Sequence, residues 1–449
     1  MAAGKEYYKT LLRLAFPIAM QNLIAFAVNF ADNIMVGRLG DVSISGVYMG
    51  NNVQTILQLI VNGISAALII LAAQYWGRRD MGSIRILAAT CFRIAAGVGI
   101  LFSVISIAFP RQIIGLMTND LIVIEVASGY LQIVGVSFVF FSVSQLLIAA
   151  LRGIENVRFG MYISLLALVV NIVLNYILIF GKLGFPALGV AGAAIATLCA
   201  RVVECIVTVI YVFAKEDRLR LRFAKIFAAD KVLLGLLFRY GAPVVLGEIV
   251  WAANTFAYNA IIGRFPVNTI AAFSIIGVMN TLVYVWIAGL AAAVGIMTGK
   301  MIGAGETDGI KSYTKRVQVM FLMVGIVTGL FVFFTKGILV SFYNVSSETV
   351  DIVRQLLTVL SITIVGTCYQ MTCLAGLVKA GGNTSFVVKN DTIFVFLIMI
   401  PTAVIAMYLR APAWVVFSCL KCDQVLKCFV AAVVVNRYKW MHNLTRLSE

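Results

Sequence analysis

Charge is what this sequence has least of. Lys, Arg, Asp and Glu make up 12% of its 449 residues, apolar side chains make up 62%, and mean hydropathy is +1.01. Soluble domains carry about 25% charged and 45–50% apolar residues, so an ordinary water-soluble fold is excluded and a bilayer is implied. Histidine is nearly missing too, with His442 in the C-terminal tail standing alone. That removes His-rich metal clusters and Ser–His–Asp catalysis, and no phosphate-cradling loop is found; no enzyme and no cofactor are expected. The eight cysteines all lie in apolar runs and read as small buried hydrophobes. Cys419 and Cys422 form a CxxC on a helix with no second pair, which is too little for a metal site. A cleavable signal peptide is not evident, because the first apolar run is too long and lacks a small-residue cleavage site.

What is present is a series of apolar runs. A span needs about 20 apolar residues. Gly, Pro and charges bound twelve such runs, near 11–37, 46–75, 86–109, 121–150, 160–180, 187–213, 234–263, 269–298, 314–335, 350–378, 386–409 and 412–435. The net charge of +16 falls in short loops between them. Basic residues crowd the N-terminus, the even loops and the C-terminus, and each odd loop carries one (Arg38, Arg111, Lys182, Arg264, Lys336, Arg410). This positive-inside pattern puts both termini in the cytoplasm and makes membrane lipids, not nucleic acid, the partner of the basic loops. Tyr438 and Trp440 read as interfacial anchors for the last helix.

The second half repeats the first. Pro17 and Pro243, Gly37 and Gly263, Gly63 and Gly289, and Gly77 and Gly303 are each 226 residues apart. Six spans separate the copies, so they share one orientation and form parallel repeats about an axis along the membrane normal. The reading is all-α: twelve transmembrane helices in two six-helix lobes related by a pseudo-two-fold. The division is 1–220 and 221–449, with the basic segment 214–231 as linker. This duplicated build disfavours a channel and favours a transport path between the repeats.

One residue stands against the apolar background. Asp32 lies in LIAFAVNFADNIMVGRLG, with no Lys or Arg before Arg38. A mid-helix Asp costs about 2.5–3.5 kcal/mol to insert, a cost kept mainly where the acid works. Asp32 and Asn175 each fall roughly 8–9 Å below the outer end of their helices, with Asn171 one turn deeper on the face of Asn175 and Thr197 at the depth of Asn171. A carboxylate, two amides and a hydroxyl suit a hard cation such as Na⁺, and the same acid can instead take H⁺. The alternative is that the amides are interhelical glue. In the second copy Tyr258 stands at the Asp32 position.

Other polar residues fall into patterns. Asn51, Gln54, Thr55, Gln58 and Asn62 form a stripe along span 2, while span 8 carries Asn280, Tyr284 and Trp286. An amide face and an aromatic face suit amphiphilic aromatic cations, with helix–helix hydrogen bonding as the competing role. Glu248 reads as a cavity acid that attracts cationic substrate, or as a packing residue. Arg201 with Glu204, and Asp423 with Lys427, have the spacing of structural ion pairs. Asp391, a turn inside span 11 and close to Lys389, reads as cavity-lining or interfacial. Pro17, Pro243 and Pro401 fall inside spans and permit kinks.

FADNIMVGRLG, LRG at 151–153, NIVLNYILIFG at 171–181, PALGVAGAAIAT at 186–197, YNAIIGRF at 258–265, KAGGNT at 379–384 and CDQVLKCFVAAVVVNRYKW at 422–440 together resemble the MATE (multidrug and toxic compound extrusion) exporters, bacterial type. The resemblance covers the whole chain. It implies a V-shaped central cavity, alternating access, and export of small organic, often cationic compounds against inward Na⁺ or H⁺, by a monomer in the cytoplasmic membrane. It carries the first-lobe cation site onto Asp32, Asn171 and Asn175, with Thr197 added, and makes Pro17 a hinge. Some members have an acid where Asn175 stands. Others pair a Glu in span 7 with an Asp in span 10, but here Glu248 comes about a turn early and span 10 has no acid from Arg354 to Val378. The wider superfamily also contains flippases for lipid-linked oligosaccharides, the alternative function.

Overall fold

The computed structural model describes residues 2–219, 221, 230–341 and 346–445 (for 2–6, 307, 308, 339 and 341 the backbone alone), and among them every regular element is helical. In chain order these are α1 (Ala2–Gly37), α2 (Asp41–Gly77), α3 (Met81–Ala108), the short α4 (Pro110–Gly115), α5 (Leu121–Gly153), α6 (Arg158–Phe180) and α7 (Gly189–Ile210). There follow α8 (Lys231–Ile262), α9 (Val267–Ala304), α10 (Thr307–Ser341), α11 (Ser347–Met371), α12 (Thr384–Ile393), α13 (Ile400–Tyr408) and α14 (Ala413–Arg437). With α12 and α13 as one interrupted span and α4 as a connector, the protein is an all-α integral membrane fold of twelve long helices. Eleven helices among the described residues are long and apolar enough to cross a membrane. The twelfth, α14, carries Lys421, Asp423 and Lys427 along its length.

Wide π-type turns replace α-geometry at Tyr211–Lys215, Thr372–Val378 and Phe394–Met399. The last precedes Pro401, whose ring blocks an ordinary helical hydrogen bond, so span 11 is locally rewound there.

Helix starts use side-chain caps where the sequence supplies them. Asp80 accepts from the Ser83 amide at 3.1 Å, and Asp120 accepts from Ile122 and Val123 at 2.9 and 3.3 Å. In lipid the apolar drive between helices is weak, and close backbone approach at small residues replaces it. Gly192 of α7 sits so near α6 that a Cβ there would be 2.6 Å from the Leu178 carbonyl.

Two compact units divide the chain: Met20–Gly241, and Met1–Ala19 together with Ala242–Glu449. The dividing points lie inside α1 and α8, a few residues from Pro17 and Pro243, and not at the 220/221 boundary drawn from the sequence. Packing explains this. Gly289 of α9 lets Ala19 approach so closely that an added Cβ would stand 2.6 Å from it, which ties the first turns of α1 to the second unit. Gly241 closes on Ala67 in the same way, holding the first turns of α8 in the first unit. Much of the linker 214–231 lies outside the described residues. In the first unit α5 packs against α2, α3 and α7, and α6 against α7, around Leu57, Leu131 and Phe138. In the second, α11 packs against α9, α10 and α14, around Leu357, Phe273 and Phe417.

Trp440 is not an interfacial anchor. The chain turns at Tyr438 (φ 56°), folds back, and buries the indole completely, with Nε1 donating to the Val435 carbonyl at 2.9 Å. The indole fits because Gly381 offers no side chain in its way.

Substituting Gly192→Val forces a side chain onto the α6 backbone and is expected to cost about 1–3 kcal/mol. A lower midpoint of thermal aggregation in detergent, read by size-exclusion fluorescence, checks it. An unchanged midpoint shows the α6–α7 contact to be dispensable.

Candidate functional site

The first unit holds a carboxylate with built partners. Asp32, partly buried on α1, accepts a hydrogen bond from Asn175 Nδ2 of α6. The same Nδ2 donates to Asn171 Oδ1 at 3.2 Å, one turn back along α6. Asn171 and Asn175 are 2% and 0% exposed. The amide nitrogen is therefore shared between two acceptors, while Asn175 Oδ1 is buried with no hydrogen-bond partner. Buried polar atoms are nearly always satisfied, so an orphaned oxygen beside a carboxylate marks a place for a donor or a cation.

Space for one is present beside the carboxylate, in a cavity whose lining does not include Asn175. Asp32, Asn171 and Thr197 line a cavity of about 40 Å³ together with Asn51, Gln54 and Tyr130. One water needs on the order of 10–15 Å³ by this kind of measure, so a small cation with a water or two fits and an organic molecule does not. Two further devices hold the wall. Gly50 of α2 has no Cβ, and one placed there would lie 2.5 Å from the Tyr130 ring, so the glycine lets that ring reach the cavity. The Tyr130 hydroxyl donates to Asn51 Oδ1 at 3.0 Å. The left-handed turn at Gly181 (φ 64°), with Ala187 hard against it, ends α6 and sends the chain back into α7, which brings Thr197 alongside Asn171.

Arg201 also lines this cavity, stacked over Phe141 at 5.1 Å and paired to Glu204 at 2.7 Å. Glu204, 1% exposed, accepts from Gln145 at 3.1 Å as well. The pair is present as its spacing implied, but it also puts a cation within Coulomb range of Asp32. With both acids and the arginine ionised, the cluster of Asp32, Arg201 and Glu204 carries a charge of −1, so one added monovalent cation brings it to zero.

Sequence reasoning placed Gln54 on the substrate-facing stripe, and the structure puts it in the Asp32 cavity. Gln58, on the same helix, is partly buried and does not line that cavity. Thr55 is exposed and back-bonds to the Asn51 carbonyl at 2.9 Å. Tyr130 and the cavity face of Arg201 went unread. Arg201 had a usable signal, since it lies four residues after Thr197 and so on the same face. Tyr130 had none, because its partner Asn51 is 79 residues away.

In the second unit Tyr258 is partly buried against the apolar core. Glu248 of α8 is partly buried, with Lys379 as a charged neighbour. Asn280 Oδ1 accepts from Lys421 at 3.2 Å, so that amide is engaged with α14. Trp286 and Tyr284 are 42% and 38% exposed, and Trp286 leans on Phe16 with ring centres 6.3 Å apart. Asp391 does not pair with its neighbour Lys389 in sequence; its carboxylate contacts Lys427 of α14 at 2.8 Å. No cluster of three or more His, Cys, Asp or Glu side chains able to hold a metal occurs among the described residues.

Comparison with known proteins agrees with this architecture. A probable multidrug resistance protein, YoeA of Bacillus subtilis (strain 168), is 26% identical over 350 residues, 76% of this chain and 75% of that protein. A probable multidrug resistance protein NorM of Listeria innocua is 25% identical over 360 residues, 78% of this chain and 77% of its own. The crystal structure of VcmN, a Vibrio cholerae MATE transporter, superposes with a TM-score of 0.90 at 16% identity, covering 99% of each chain. The MatE family model matches twice, over residues 17–177 and 243–405, one copy per sequence repeat and most of the chain in all. With a repeat matched in each half and the fold shared end to end, this chain belongs to the MatE family of multi-span membrane transporters.

Proposed function

We propose that the protein is a secondary antiporter that exports small organic, mostly cationic compounds in exchange for Na⁺ or H⁺ by alternating access. The observation that carries this reading is Asp32, held by Asn175 on one side and lining, with Asn171 and Thr197, a cavity sized for a small cation and its water. The names of the relatives point to multidrug efflux, and the relation to this family supports the same class of substrate.

Asp32 is the coupling acid. As the carboxylate it is held by the Asn175 amide nitrogen, and Arg201 is turned away toward Glu204. Na⁺ would take oxygens from Asp32, Asn171, Asn175 and Thr197. A half-turn of the Asn175 amide presents its oxygen and releases the carboxylate from the nitrogen. A proton on Asp32 removes the same negative charge and the same reason for the amide to point at it. Either way the bond between α1 and α6 weakens when the cation arrives. α1 carries Pro17 in its interior, and we assign the resulting bend to that position. Within the second unit Glu248, Tyr284 and Trp286 are assigned to substrate contact, with Asn280 engaged by Lys421. We place both termini on the cytoplasmic side of the cell membrane and take the monomer as the working unit.

Asp32→Asn keeps the shape of the site and removes its charge. Efflux of ethidium from everted vesicles under an imposed Na⁺ or pH gradient is expected to fall at least about tenfold, and wild-type rates in this variant would sink the mechanism. Asn175→Leu leaves Asp32 in place but strips away the amide that holds it; loss of a hydrogen bond to a charged group is worth about 1.5–3 kcal/mol, or tenfold and more in gradient-driven efflux. Full efflux in that variant removes Asn175 from the site.

A further inference from the structure

The most charged interior region of the second unit lies away from every residue assigned above to the coupling ion. Lys427 of α14 stands between two carboxylates, with Nζ 2.8 Å from Asp391 Oδ1 of α12 and 3.2 Å from Asp423 Oδ2 one turn back on its own helix. The lysine and Asp423 side chains are 6% and 3% exposed, whereas Asp391 is 35% exposed. Gln424 Nε2 donates to Asp423 Oδ2 at 2.8 Å, and Gln424 Oε1 accepts from Gln370 Nε2 of α11 at 2.9 Å. Asp423 Oδ1 is buried with no hydrogen-bond partner.

Lys427 is held by two carboxylates where one would neutralise it, and Asp423 has the charge of Lys421 within Coulomb range as well, so Asp391 is the acid that the cluster can release. The second acid and the orphaned oxygen give the ammonium two places to sit. On Asp391 it makes its shorter contact. On Asp423 it can engage both carboxylate oxygens, one of which is now unsatisfied. Withdrawing onto Asp423 gives up the Asp391 contact and leaves that acid for an incoming ammonium to neutralise. The acid left behind is the exposed one. Near it Tyr284 feels the charges of both Asp391 and Glu248, so an aromatic ring and a second acid share that face. α12 and α8 are in contact there, since Val388 lies 3.3 Å from where a Cβ on Gly247 would be.

We propose that Asp391 is a docking site for the ammonium group of an organic cation, and that Lys427 is a tethered counter-cation that withdraws to Asp423 when the ligand arrives. The proposal deepens the reading of the protein as an exporter of organic cations by naming an acid of the second unit and its internal competitor. Cationic ligands gain a carboxylate, neutral ones gain nothing, and the empty site never holds an unpaired exposed acid.

The test uses the full-length protein in detergent and a fluorescent pair: dansylcadaverine, which carries a primary ammonium, and its neutral N-acetyl derivative. Asp391→Asn is expected to weaken binding of the cationic probe about tenfold, the worth of one charge-assisted contact, and to leave the neutral probe unchanged. Lys427→Gln removes the competitor and is expected to tighten the cationic probe alone. The triple variant Asp391→Asn, Asp423→Asn and Lys427→Gln leaves neither the lysine nor its two acids charged, and should bind the cationic probe as weakly as Asp391→Asn while still folding. If neither single variant changes the preference for the cationic probe, or if both probes shift together, the cluster is structural and the proposal fails. Wild-type vesicles that export neither probe overturn the export reading instead, and the binding comparison still decides the role of Asp391.

Discussion

A carboxylate withdrawn from water in a bilayer must be neutralised by something within reach, and the first unit is arranged around that demand. Asp32 is answered by the Asn175 amide, which donates to it and so tolerates the negative charge, but an amide cannot cancel that charge. Arg201 might have done so, yet it is committed to Glu204, with Gln145 bracing the pair. The site is therefore built one positive charge short. α5 and α7 hold Arg201 and Glu204 in place, α6 carries both asparagines on one face, and the glycines at 50, 181 and 192 let ring, turn and helix close around them. A structure that only needed to stay folded would have met Asp32 with the arginine.

The second unit solves the same problem differently. There the partly exposed acid of α12 and the buried acid of α14 are met by a lysine of the chain itself, held between Asp391 and Asp423. One unit leaves a gap that a free cation fills, and the other carries its own cation on a four-carbon tether. The sequence repeats, 226 residues apart, share backbone design and diverge in this one respect. Tyr258 replaces Asp32, and the Asp391–Lys427–Asp423 cluster of the second unit lies on its last two spans, outside the positions that correspond to the first site.

Much of this was legible in the chain. Eleven of the twelve spans follow from length and hydropathy, because lipid admits only helices or closed barrels, and α14 completes the set despite its charges. Asp32, Asn171, Asn175 and Thr197 were matched by depth, a consequence of the fixed 1.5 Å rise per residue, and the structure brings them to one place. What escaped was whatever depends on rotation between helices. Depth gives no azimuth, so Tyr130 reaching Asn51 and Asp391 reaching Lys427 left no local trace. Asp391 has Lys389 beside it in sequence, but residues two apart on a helix point to different faces. The wide turns before Pro401 and after Met371 were equally hidden, and so was the interior place of Trp440, because aromatic residues near a helix end suit both an interface and a folded-back tail. The unit boundaries inside α1 and α8 depend on the contacts of Gly289 and Gly241, which spacing alone does not show.

The central claim is that the coupling ion binds at Asp32, in one unit only. Charge displacement on a solid-supported membrane, recorded from purified protein in liposomes after a Na⁺ or pH jump without substrate, tests it most directly. The account predicts a transient current in the wild type and in Asp391→Asn, and none in Asp32→Asn. A current that survives Asp32→Asn, or disappears with Asp391→Asn, would contradict it.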